Sequence, residues 1–100
     1  MVDSIDPDGW DRRERSFRGI SRRLAARYLR NLGGEFVDAA EPESATEIEG
    51  NGWRAALATD TVEIGRSLTL TEVTVTFEGE PAILDRLIED FKRKAMRAGG

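Results

Sequence analysis

Eight arginines, Arg12, Arg13, Arg15, Arg18, Arg22, Arg23, Arg27 and Arg30, crowd the first thirty positions of the chain. Guanidinium groups at that density can cradle an anion, and Gly19 and Ser21 stand just ahead of a helix-like segment whose first N–H groups would face a phosphate. The residues placed to do so are Arg18, Ser21, Arg22 and Arg23. The competing account is a solvated arginine-rich face. That account is favoured, because neither a GxGxxG run nor a P-loop accompanies the cluster. Glu47, Glu49, Glu63 and Glu72 lack the loop spacing of a calcium site and read as solvated strand faces.

The chain ends Ala98-Gly99-Gly100. A tail without side chains at Gly99 and Gly100 suits a sulfur carrier activated at its C-terminus, since it can thread into an adenylating enzyme. A glycine after Ala98 is also an ordinary helix terminator. The second account is favoured, because β-grasp carriers deliver their tail from a strand and this tail leaves a helix-like segment.

Cysteine and histidine are both absent. Thiol nucleophiles, disulfides, thiolate metal sites and the commonest proton shuttle are excluded with them. No catalytic residue, metal ligand set or cofactor motif emerges, and a non-enzymatic role is expected. Net charge is −4. Residues 1–30 carry eight basic against five acidic groups, while residues 31–100 carry seven against fourteen. Thirteen of the fifteen basic residues are arginine, Lys92 and Lys94 being the others. An acidic, lysine-poor composition suits the cytoplasm of an extreme halophile, and high genomic GC content would also raise arginine. Apolar runs fall far short of the ~20 residues a membrane span requires, so a cytoplasmic protein with no membrane contact is expected.

The elements that must position these residues follow from periodicity. Residues 1–11 read as a flexible leader with a Pro7-Asp8-Gly9 turn signal, and residues 12–100 as one domain. An extended segment spans about Glu14 to Ile20. Leu24, Ala25, Tyr28, Leu29 and Leu32 then recur at helical spacing, with Ser21 as N-cap and Gly33-Gly34 as the stop. Strand candidates follow at Glu35–Ala39, Thr46–Glu49, Trp53–Thr59 and Thr61–Ile64, with Asn51-Gly52 in a tight hairpin turn. In Leu68–Phe77, Leu68 and Leu70 fall on one parity and Val73, Val75 and Phe77 on the other, which predicts a bulge or bend near Thr71 or Glu72. Pro81 opens a last helix with Leu84, Leu87, Ile88, Phe91 and Ala95 as its apolar stripe.

The order strand, helix, four strands, helix predicts an α+β two-layer sandwich, an antiparallel sheet with both helices on one face. Its outward positions would include Glu47, Glu49, Arg54, Thr74 and Thr76, with Glu63 nearby. That surface is neutral to acidic and would repel a phosphate backbone, so nucleic acid is disfavoured as a partner. The open face or an edge strand could instead support a homodimer.

The runs Phe17 to Ser21 (FRGIS), Tyr28 to Gly34 (YLRNLGG), Gly52-Trp53, Leu70 to Val73 (LTEV) and Phe77 to Glu80 (FEGE) resemble the MoaD-related protein C-terminal domain family, over about residues 12–100. The resemblance implies a TBP-like fold and a protein partner in molybdopterin or sulfur transfer. It carries no catalytic residue to this chain. The β-grasp carrier domain that precedes this module in some proteins has no counterpart here, so a stand-alone accessory module is expected.

Overall fold

The computed structural model describes residues 9–99. Strand β1 (Asp11–Arg18) is followed by helix α1 (Arg22–Asn31), strands β2 (Glu35–Phe36), β3 (Glu47–Gly50), β4 (Trp53–Ile64) and β5 (Leu68–Gly79), and helix α2 (Pro81–Gly99). The strands form one antiparallel sheet in the order β1-β5-β4-β3-β2. The protein is α+β, with both helices packed on one sheet face. Strand β1 begins at Asp11, the last position assigned to the leader, and residues 1–8 lie outside the described residues.

Helix α1 starts and stops where its sequence dictates. The Ser21 side chain accepts the Leu24 N–H at 3.0 Å, relieving one of the orphan donors of a first turn. At the other end the Gly33 N–H donates to the Arg30 carbonyl and the Gly34 N–H to the Leu29 carbonyl, both at 3.0 Å, which closes a Schellman motif. The two glycines do different work there. Gly33 supplies the left-handed backbone (φ +106°), while a β-carbon on Gly34 would run into the buried Ile48 and Trp53 side chains. In the β3–β4 hairpin the positive φ falls on Gly52 (+86°) and not on Asn51, so that turn uses one left-handed residue.

The inward face of the sheet is Ile48, Trp53, Ala55, Leu57, Val73, Val75 and Phe77, all buried. It meets Ala25, Ala26 and Leu29 of α1 and Leu84, Leu87, Ile88, Phe91 and Ala95 of α2 in one cluster. Phe91 sits where the layers meet. Its ring lies 4.9 Å from Phe17 of β1, 5.8 Å from Tyr28 of α1 and 6.0 Å from Phe77 of β5, in tilted or edge geometries that suit aromatic quadrupoles. Outside the core, Arg13 of β1 joins Asp85 of α2, and that bond foremost raises its guanidinium above the ordinary value.

The β5 strand has no bulge. Twelve successive pairs from Trp53↔Gly79 to Ile64↔Leu68 keep one register, and the segments read as separate strands at Trp53–Thr59 and Thr61–Ile64 are one. The apolar side chains change parity while the backbone stays regular, so Leu68 and Leu70 face away from the helices. This is possible because β1 ends opposite Glu72 and β3 ends opposite Ala56. Beyond them β4 and β5 run on as a two-stranded arm, part of a molecule 46 Å long.

The connection between β2 and β3 is held by two clasps. Asp38 accepts the Thr46 hydroxyl, the Thr46 N–H at 3.0 Å and the Glu47 N–H at 3.2 Å. Arg22 of α1 donates to the Ala45 carbonyl at 2.6 Å and the Glu43 carbonyl at 2.8 Å, which seats Ala45 fully in the core.

Replacing Phe91 with alanine is expected to cost about 3–5 kcal/mol, a large share of the roughly 5–15 kcal/mol a domain holds in reserve; the midpoint of urea unfolding measures it. A second expectation concerns acid. The Thr46 hydroxyl, then the backbone N–H groups, hold the Asp38 carboxyl below its ordinary value of 3.8. Its stabilising effect is therefore complete above that value and is lost as pH falls through the lowered one. In thermal melts, Asp38→Asn should melt below the parent at neutral pH and converge with it in acid.

Candidate functional site

Among the described residues, no helix or further strand layer packs on the sheet face opposite the helices. Strand alternation places Arg12, Glu14, Ser16 and Arg18 of β1 there, beside Glu72, Thr74, Thr76 and Glu78 of β5. Arg54, Ala56, Ala58 and Asp60 of β4, Glu47 and Glu49 of β3, and Glu35 of β2 complete it. Glu63, expected near this surface, pairs with Thr69 on the opposite parity and lies on the other side of the arm.

The centre of the face is low. Ser16, Ala56, Ala58, Thr74 and Thr76 raise short side chains, and the Ser16 and Thr74 hydroxyls share a hydrogen bond at 3.0 Å. Charge gathers around this floor. Arg54 pairs with Glu78 at 3.2 Å and Arg18 with Glu72 at 3.3 Å. Arg54 also approaches the Trp10 ring, 5.9 Å from its centroid, which sets Trp10 beside this face. Ion pairs this exposed contribute about 0–1 kcal/mol, so they organise the surface more than they stabilise the fold. Beside the Arg54–Glu78 pair lies a depression of about 360 Å³, lined also by Arg12, Glu47, Glu49 and Thr76.

The face continues onto the arm, where its character changes. Val62 pairs with Leu70 and Ile64 with Leu68, all on the outward parity. Ile64 and Leu68 are exposed and Val62 and Leu70 half-buried. The sequence signal for this stripe was the parity change in β5, which reads equally as a bulge until the register is known.

Ser21, Arg22 and Arg23 come together at the start of α1, against residues 43–45, while Arg18 points to β5. Each is engaged within the chain. Ser21 caps the helix, Arg22 holds the Ala45 and Glu43 carbonyls, Arg23 lies 3.8 Å from the Glu43 carboxylate, and Arg18 pairs with Glu72. An anion at this point would compete with the Glu43 carboxylate. Gly99 closes α2 in helical backbone, and Gly100 lies outside the described residues. Among the described residues no group of three or more carboxylates is arranged to hold a metal ion, and no helix is long and apolar enough to cross a membrane. A second depression, of about 260 Å³, lies over Leu32, Trp53, Ile83 and Leu87 beside Arg86.

No match was found among the curated proteins. Residues 13–100, from within β1 through α2, match the family described as archaeal MoaD-like protein. The chain belongs to the archaeal MoaD-like protein family.

Proposed function

We propose that this chain is a non-enzymatic accessory module that binds a protein of molybdopterin synthesis or sulfur transfer in the cytoplasm. The family supports the metabolic setting. The observation that carries the mode of action is the bare sheet face, because a flat floor of Ser16, Ala56, Ala58, Thr74 and Thr76 lets another surface approach to contact distance. The available side chains fit this role better than chemistry. Arg18 and Arg54 are engaged by Glu72 and Glu78 across the face, and no histidine or cysteine stands by to move a proton or attack a carbonyl.

The test is direct binding, by surface plasmon resonance, of the full chain to a purified β-grasp sulfur carrier, its adenylating enzyme and the large subunit of a molybdopterin synthase. At least one should bind. Ala58→Arg, which raises a long cation from the floor without touching the core, should weaken that binding about tenfold, roughly 1.4 kcal/mol, and leave the melting temperature unchanged. Deleting Gly99 and Gly100 should leave binding intact. Failure of all three proteins to bind at low and high salt would remove the proposal, and loss of binding on deleting the diglycine would favour a carrier instead.

A further inference from the structure

Among the described residues, the β4–β5 arm presents apolar side chains with no layer to cover them. Ile64 is 39% exposed and Leu68 53%, and the Val62–Leu70 and Ile64–Leu68 pairs form a short stripe at the end of the sheet where two strands remain. Pairs of this kind ordinarily roof a core. Here both flanking strands have ended, and the stripe faces the side without helices. Covering it would gain the free energy that solvation now withholds.

The adjoining face selects what can cover it. It holds three arginines against seven carboxylates, a net of −4. Glu35 and Glu49 stand directly opposite each other, a like-charge pairing that a counter-charge would relieve. The depression is lined by Arg12 and Arg54 as well as Glu47, Glu49 and Glu78; with Glu78 paired to Arg54, Glu47 and Glu49 are its carboxylates left for a cationic side chain and its aliphatic stem. A second copy of the chain would bring the same acidic face against this one. Adding a strand to the β4 edge of the arm would displace an existing bond, since the Thr61 N–H is held by the Asp60 carboxylate at 2.9 Å. Phospholipid head groups and nucleic acid are anionic and would be repelled.

We infer that the arm and the acidic sheet face together dock a basic protein segment, with an apolar residue of that segment on the Val62–Leu70 and Ile64–Leu68 stripe and its lysine or arginine side chains over Glu47 and Glu49. This deepens the function proposed above. It rests on that reading for action by binding and is independent of the sulfur or molybdopterin setting.

Three synthetic peptides of equal length test it against the full chain by fluorescence anisotropy and amide chemical-shift mapping: basic with a central leucine, basic with a central serine, and acidic with a central leucine. The basic leucine peptide should bind and shift amides in residues 56–64 and 68–76. The serine peptide should bind about tenfold more weakly, and the acidic one not at all. Ile64→Thr with Leu68→Ser should cost about tenfold while circular dichroism stays unchanged, because both positions are exposed. Glu47→Gln with Glu49→Gln should flatten the salt dependence.

Absence of basic-peptide binding, equal binding of the acidic peptide, shifts confined to the helices, or indifference to the arm substitutions would each overturn the assignment. So would a dimer in sedimentation that Leu68→Ser disperses, or flotation with phosphatidylglycerol vesicles that the same change abolishes. If the peptides fail while a purified sulfur-transfer protein still binds, the docking site falls and the function stands. Peptide binding without any sulfur-transfer partner would leave the site and remove that setting.

Discussion

A single uninterrupted register between β4 and β5 governs the architecture. Once Trp53 is opposite Gly79, alternation sends Ala55, Leu57, Val73, Val75 and Phe77 to one face and leaves no freedom further along. The helices follow the buried face, and Phe91 couples them to it through contacts with both a helix and two strands. The same constraint puts Leu68 and Leu70 on the opposite side. The core and the exposed stripe are two outcomes of one ladder, and a one-residue slip would exchange them.

Local chemistry made much of this readable from the residues. Ser21 and Gly33-Gly34 bounded α1 to within a residue at each end because caps and left-handed glycines act over a few bonds. Pro81 fixed the start of α2 in the same way. The merging of two strand candidates into β4 and the absence of a bulge in β5 were beyond such signals. Both depend on where β1 and β3 end, and those ends are set by partners more than fifty positions away in one case. Parity alone placed Glu47, Glu49, Arg54, Thr74 and Thr76 on the open face, while the contributions of β1 and β2 to it went unassigned. Glu63 was misplaced because the strand break assumed after Thr59 freed it from the phase of its neighbours.

Arginine shows why composition alone misleads about sites. The cluster around Ser21 has the content of an anion cradle, yet Arg22 is committed to backbone carbonyls and works as a clasp for the β2–β3 connection. That role leaves no pattern in a sequence, since it joins a helix to a loop 21 and 23 positions further on. Asp38 is similar: three donors converge on a carboxylate whose type and position give no hint of them. In both cases a charged group does structural work.

The arm stands apart from the core, and this has an evolutionary consequence. Ile64 and Leu68 are exposed and lie outside the buried core, so exchanging them alters what the surface recognises at little risk to folding. Most proteins must trade the two, because the side chains that bind are braced by the side chains that fold. Here a lineage could retune its partner through a handful of codons at the tip of one hairpin while everything from Ser21 to Leu57 stayed fixed.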